Sequence, residues 1–277
     1  MNKITDKTIT LIPSGNDFIR CEIDVPFVPT PLNIVDEMLA MAHVGKNDTV
    51  YDLGCGDGRI AITAAKKCGA RAVGIDLDPR RIKESRDNAK KAGLNENISF
   101  LNQSFFKSDI KNATVVTLYL LSNVNIKLRA KLLDELQPGT RIVSHDFHME
   151  KWRAEKRIET GNHTLFFWTI PANISGIWHG KMPNTYGGFN FSMGIKQHFQ
   201  ETIAEFISPE KTPVKRCKIK GNTVEIRMKL LIDKQSRPVR FTGKINDDII
   251  NGTMTAIGKP EEKWRCVREA FTVKPLY

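Results

Sequence analysis

The chain predicts two folds in series, a doubly wound α/β sheet followed by an antiparallel β-barrel. Three observations carry this reading. Apolar strand-like runs alternate with helix-like segments from about Phe27 to Ile170, the order that puts helices on both faces of a parallel sheet. The first run ends in Val50-Tyr51-Asp52-Leu53-Gly54-Cys55-Gly56-Asp57-Gly58-Arg59, an acid followed by three glycines at every second position. Near Pro171 the composition changes, and period-two alternation runs on to Tyr277 with no convincing helix. The expected division is an N-terminal extension at 1–26, the α/β domain at 27–172 and the β domain at 173–277.

The elements follow in order. A strand-like stretch at Thr8–Ile12 lies in the extension, and a helix is expected from Leu32 to about Ala42, with Thr30 as N-cap and Pro31 as first helical residue. The glycine turn then opens a helix through Cys68 that Gly69 caps. Ala72–Asp78 reads as a second buried strand, Pro79–Gly93 as a charged helix, and Ile98–Asn102 as a third strand. Thr114–Leu120 is apolar enough for the middle of a sheet. The helix Val124–Leu136 follows, its apolar stripe made by Leu128, Leu132, Leu133 and Leu136. Strand five is Thr140–Asp146, and Glu155–Glu159 with His163–Ile170 form a closing hairpin. Ligands of such sheets bind beyond the carboxyl ends of the strands, where Asp52, Asp76, Ser104, Tyr119 and Asp146 all fall.

In the second segment, Val224–Leu230 and Phe189–Ile195 alternate apolar and polar residues, with turn signals at Gly187-Gly188, Gly221-Asn222, Ser236–Pro238 and Asn246–Asp248. Roughly eight strands are expected, near the number that closes an up-and-down barrel. A plain β-sandwich is the competing reading.

The Asp-x-Gly-x-Gly-x-Gly turn closely resembles motif I of the class I S-adenosylmethionine (SAM) methyltransferases, a Rossmann-like fold. Phe-Val-Pro-Thr at 27–30, ahead of Asp-Leu-Gly-Cys-Gly-Asp-Gly-Arg-Ile at 52–60, resembles more narrowly the lysine methyltransferases that act on the ATP synthase c-subunit. The resemblance covers Phe27 to about Trp152 and implies SAM as cofactor and S-adenosylhomocysteine as product. Gly54, Gly56 and Gly58 would let the ligand touch backbone, and Asp52 would face the methionyl amine. Asp76 would take the two ribose hydroxyls, with Asp78 the second choice. Phe27 and Thr30 would fold over the cofactor, and Leu118 would line its site. In the family the loop after strand three offers an acid to the adenine. Here it is Gln103-Ser104-Phe105-Phe106, so Ser104 would bond the adenine and Phe105 would pack on it, with Asn102 and Gln103 as substitutes.

The implied reaction is an in-line displacement at the sulfonium methyl, in which positioning and exclusion of water contribute most. A lysine acceptor must first lose a proton. Tyr119 is the candidate for lining the acceptor channel, and Asp146 or His145 for accepting that proton. No metal is called for by any cluster in the sequence. No Asn-Pro-Pro-Tyr follows strand four, which argues against the adenine, cytosine and glutamine amide methylases that carry it.

Composition narrows the setting. With 40% hydrophobic and 26% charged residues in 277, the chain has the make-up of an ordinary water-soluble protein. No apolar run spans a bilayer, and Met1–Asp6 lacks a signal-peptide plan. Five cysteines without Cys-x-x-Cys spacing read as thiols in a reducing compartment, so the expected location is cytoplasmic. The net charge is +11, with an excess of three over residues 1–172 and eight over 173–277. A basic second segment suits an anionic partner, but its lysines alternate with apolar residues as on any solvated sheet face. Gly176-Ile177-Trp178 with Trp264-Arg265 resembles the lipocalin pattern, in which a Gly-x-Trp packs on a late basic side chain.

The leading expectation is a methyltransferase acting on a protein lysine, with a barrel that binds or positions the acceptor. The alternatives are a small-molecule methyltransferase whose barrel forms the substrate pocket, and a SAM-binding scaffold without catalysis. Nucleic acid ranks third among acceptors because the chain shows no obvious cluster of aromatics for base stacking.

Overall fold

The computed structural model describes residues 27–232 and 234–277; the expected extension, 1–26, and its strand-like stretch lie outside them. The first half builds α1 (Leu32–Met41), β1 (Thr49–Leu53), α2 (Arg59–Cys68), β2 (Arg71–Asp76), α3 (Pro79–Lys91), β3 (Ile98–Asn102), β4 (Val115–Leu118), α4 (Ser122–Glu135) and β5 (Arg141–His145), then the hairpin β6 (Lys156–Thr160) and β7 (His163–Thr169). The sheet order is β3-β2-β1-β4-β5-β7-β6, parallel from β3 to β5, with β7 antiparallel to both its neighbours. Every residue of β4 is buried, as its unbroken apolar run requires of a central strand.

Local chemistry sets the element ends. Asp78 caps α3 by accepting from the Arg80 amide at 2.8 Å, with Pro79 at the first helical position. Gly69 closes α2 in the left-handed conformation at φ 67°. One expected cap is not formed. Pro31, not Thr30, is the N-cap of α1 and no side chain caps it; the Thr30 hydroxyl turns instead toward His145. A buried polar partner outcompetes an amide that water can reach.

The second half is a nine-stranded antiparallel sheet: β8 (Gly176–Lys181), β9 (Asn190–His198), β10 (Glu201–Ser208), the two-residue β11 (Thr212–Pro213), β12 (Arg216–Lys220), β13 (Thr223–Ile232), β14 (Gln235–Asn246), β15 (Ile249–Ala256) and β16 (Glu262–Arg268). A single 3-10 turn, Asn184–Tyr186, departs from the all-strand expectation. The first strand pairs with the last, β8 with β16, so the meander forms one curled, barrel-like sheet whose edges are β11 and β12. Across the remaining gap the Thr202 hydroxyl donates to the Cys217 carbonyl at 2.7 Å.

Trp178, Phe191, Phe206, Phe241 and Trp264 are buried together in the barrel. Phe191 and Phe206 stack at 5.0 Å, and Phe241 meets Trp264 edge-on at 5.3 Å. These rings pack against one another in the barrel core. The Gly-x-Trp contact forms, but its partner is Arg268, 4.6 Å over Trp178, while Arg265 is exposed. Period two decides this: Trp264, Cys266 and Arg268 face inward and Arg265 faces out. The two sheets meet away from the carboxyl ends of β1 and β4, through Ala172 donating to the Gly221 carbonyl at 2.8 Å and Trp152 donating to Gln200 at 2.7 Å.

Candidate active site

The glycine turn sits between β1 and α2, and each of its three glycines has positive φ: 82° at Gly54, 52° at Gly56 and 81° at Gly58. Space is as decisive as conformation. A Cβ on Gly56 would collide with the Phe27 ring, and one on Gly58 would lie 2.9 Å from Phe100. Phe27 thus lies directly on the turn, with the Arg81 guanidinium stacked 3.8 Å over its ring.

Two acids flank the turn in different states. Asp76, at the tip of β2, is anchored: one oxygen accepts from the Gly56 amide at 2.9 Å, the other from the Asp78 amide at 2.9 Å. Asp52 is buried at the end of β1 and accepts from the Thr117 hydroxyl at 2.8 Å, but its second oxygen has no partner. Burial pushes its carboxyl up to about 7, against the Thr117 bond, and the nearby Asp76 and Asp57 charges push the same way. An orphaned buried oxygen among three acids calls for a cation.

These groups border a cleft of about 400 Å³ lined by Phe27, Thr30, Asp52, Gly54, Asp57, Asp76, Phe105, Phe106, Tyr119, Leu120 and Phe147, among others. Ser104 is outside that lining; its carbonyl accepts from the Lys107 and Ser108 amides and turns the loop. Asn102 donates to the Asp76 and Leu77 carbonyls at 3.1 and 2.9 Å, and Gln103 to Ser108 at 2.7 Å. Both substitutes are therefore engaged in holding the loop. Leu118 is fully buried one residue below Tyr119.

Behind Tyr119 lies a polar cluster. The His145 ring stacks on Tyr119 at 3.9 Å and is wholly buried. Its Nδ1 is 3.1 Å from the Thr30 hydroxyl and its Nε2 is 2.8 Å from His163 Nδ1. Asp146, in the left-handed region at φ 60°, accepts from the Thr164 amide at 2.7 Å and brings its other oxygen within 3.2 Å of both imidazoles. Desolvation drops the His145 imidazole to about 4, overriding the Asp146 charge, so it is neutral at pH 7. Desolvation, with Asp146 adding to it, raises the Tyr119 phenol, which keeps its proton. The three donor atoms of His145, Asp146 and His163 lie within 4.8 Å of one another, close enough for a metal ion, yet the hydrogen-bonded pairing accounts for each without one. Of the expected catalytic residues, then, Tyr119 lines the cleft, whereas His145 and Asp146 stand behind it and reach it through the ring.

Several site residues escaped the sequence reading. Arg59 pairs with Asp57 at 2.6 Å and donates to the Thr30 carbonyl at 2.8 Å, tying the turn to the segment that covers it. Both lie inside the glycine motif, which is the signal that marks them. His163 sits on the closing hairpin, and only the β5–β7 pairing brings it to the site.

The fold and cleft define a class I SAM-dependent methyltransferase: a Gly-rich turn after β1, an acid at the tip of β2 and an unpaired buried carboxylate placed for a cationic ligand. Comparison with known proteins agrees. The model of the ANTKMT methyltransferase domain matches residues 52–156. A protein-lysine N-methyltransferase of Saccharolobus islandicus is 48% identical over 151 residues, covering 53% of this chain and 94% of that one. The mouse adenine nucleotide translocase lysine N-methyltransferase is 29% identical, covering 60% of this chain and 71% of its own length. A crystal structure described as an RNA methyltransferase from Salinibacter ruber, in complex with S-adenosyl-L-homocysteine, is 50% identical with a TM-score of 0.53, covering 53% of this chain and 96% of that one. The chain belongs to the SAM-dependent methyltransferases, and its residues 52–156 are similar to the ANTKMT methyltransferase domain.

Proposed function

We propose that the protein methylates a lysine of another protein, with residues 27–172 as the catalytic domain and 173–277 as an accessory barrel. The observation that carries the reading is the aromatic mouth formed by Tyr119 and Phe147 beside the cofactor cleft. It suits a thin aliphatic side chain ending in an amine. The 48% identical relative named as a protein-lysine methyltransferase supports the same acceptor.

SAM supplies a methyl group already activated by its sulfonium. The chain's residues bind, orient and exclude water. In this reading Asp52 faces the methionyl ammonium, Asp76 accepts from the ribose hydroxyls, and Phe27 with Thr30 closes over the cofactor. Phe105 packs on the adenine, and Leu118 supports the floor of the site. The absence of Ser104 from the cleft lining weakens its assignment to the adenine. The Tyr119 oxygen orients the acceptor amine. His145 is a positioning residue that fixes the Tyr119 ring, and the acceptor proton leaves the amine to water, which passes it to the part-exposed Asp146 and His163 pair outside the cleft.

First-with-last strand pairing and the Arg268–Trp178 contact support a lipocalin-like barrel. Among the described residues no helix is long and apolar enough to cross a membrane. A cytoplasmic setting, where SAM is available, completes the proposal.

The test is methyl transfer from radiolabelled SAM into lysate of the source organism. Label in a protein band that protease removes, with methyl-lysine by mass spectrometry, is the expected result. Label only in nuclease-sensitive material would replace lysine with nucleic acid, a reading the Salinibacter ruber relative's description favours. Label only in small extractable species would make the acceptor a metabolite.

A further inference from the structure

On the outer face of β12–β16 the strand registers set cations side by side. Arg216, Arg227 and Arg240 stand directly opposite one another on three neighbouring strands. Two pairs along, Lys220, Lys244 and Arg265 occupy alternate strands of a second row. The outward positions of these five strands hold nine Lys or Arg against one carboxylate, Glu225, which Arg227 and Arg240 already engage at 2.8 and 2.5 Å. Like charges directly opposite across antiparallel strands destabilise a sheet. An ordinary solvated face balances its signs; here cations outnumber the carboxylate nine to one.

The residues between the cations narrow the partner. Thr223, Thr242, Thr253, Thr255 and Asn251 fill the rows, side chains that bond phosphate oxygens. No aromatic is exposed at an outward position of these strands, and the exposed large aliphatics, Leu231 and Val267, stand singly at opposite ends of the face, outside the rows. A bilayer surface would be met with apolar residues to insert, and single-stranded nucleic acid with rings to stack on. Strands about 4.8 Å apart and alternate residues about 7 Å apart make a grid of charge that matches a backbone rather than a base sequence.

We propose that the outer face of β12–β16 docks the phosphate backbone of duplex nucleic acid, independently of sequence. No residue of β12–β16 lines the cleft, so this stands whatever the methyl acceptor is.

The test is fluorescence anisotropy of the full chain with labelled 20-base-pair DNA and RNA duplexes, from 50 to 200 mM salt. Binding should weaken with added salt, log K falling against log salt with a slope of about −0.9 per phosphate engaged. The triple variant R216Q/R227Q/R240Q should flatten that slope by about 2.7 while leaving SAM binding and circular dichroism unchanged. Stronger binding to the RNA or the DNA duplex would identify which of the two it takes. The proposal is overturned by no duplex binding at 50 mM salt, by an unchanged slope in the variant, or by binding to phosphatidylserine vesicles without duplex binding.

Discussion

The two halves leave opposite kinds of buried polar atom without a hydrogen bond, donors in the barrel and acceptors in the α/β domain. In the barrel, the inward Arg268 guanidinium donates to the Ser175, Asn173 and Asp247 carbonyls at 2.7 to 2.9 Å and pairs with Asp248 at 3.0 Å. The indoles of Trp178 and Trp264 donate to the Ile174 and Thr242 carbonyls at 2.9 and 3.0 Å. In the α/β sheet, Asp52 is as deeply buried yet leaves an oxygen unbonded. Among the described residues both halves thus leave buried atoms without a hydrogen bond, the Nε donors of Arg237 and Arg268 in the barrel and the acceptors Asn125 Oδ1 and Asp52 Oδ2 in the α/β domain, and of these only Asp52 borders the cleft.

The largest test of that contrast is Trp178→Ala. Removing a fully buried indole should cost the barrel about 3–5 kcal/mol. Thermal denaturation should show the barrel transition lowered while SAM affinity, read by calorimetry, stays near wild type. Loss of SAM binding would mean that the two regions are one energetic unit.

Asp76→Ala acts on the other side. With the carboxylate proposed to take both ribose hydroxyls gone, SAM should bind about 100-fold more weakly, about 3 kcal/mol. The denaturation midpoint without cofactor should fall more modestly, because the Gly56 and Asp78 amides lose their acceptor. If Asp76→Ala abolished methyl transfer but left the cellular role intact, the scaffold alternative would prevail.

The Asp52 carboxyl gives a pH signature. Its folded-state value lies above the ordinary 3.8, near 7, so between those limits the folded chain holds a proton that the unfolded chain has released. Stability without cofactor should therefore fall as pH rises through that window. SAM binding should follow the reverse sign, tightening about tenfold from pH 6 to pH 8 as Asp52 ionises against the ammonium. The Asp52→Asn variant should bind weakly with a flat profile; a wild-type profile in that variant would reject the assignment.

The smallest effect expected is for His163→Ala. The half-exposed imidazole supports the proton path without touching the cofactor, so kcat should drop by roughly 3- to 10-fold with SAM affinity unchanged. A shifted pH optimum should accompany the drop. An unchanged optimum would leave His163 a packing residue.

Much of this was legible along the chain because the signals are local. Asp52, the three glycines and Asp76 lie in two short motifs whose backbone demands only small residues or a strand-end acid can meet. Period-two alternation likewise marked the barrel strands, since a strand's side-chain direction is fixed by its neighbours. What the sequence could not rank was a choice between partners. Thr30 had a free amide nearby to cap and a distant imidazole to meet; burial of His145 settled it. The dipeptide Trp264-Arg265 pointed to Arg265 as the basic partner, and the inward register selected Arg268 instead. His163 carried no local mark at all. The sequence by itself determined the cofactor turn and the order of strands, because covalent spacing and backbone conformation act over a few residues. Only the tertiary structure decided which side chains stand behind Tyr119, because β7 returns antiparallel beside β5 and brings residues 18 apart in the chain to within 2.8 Å.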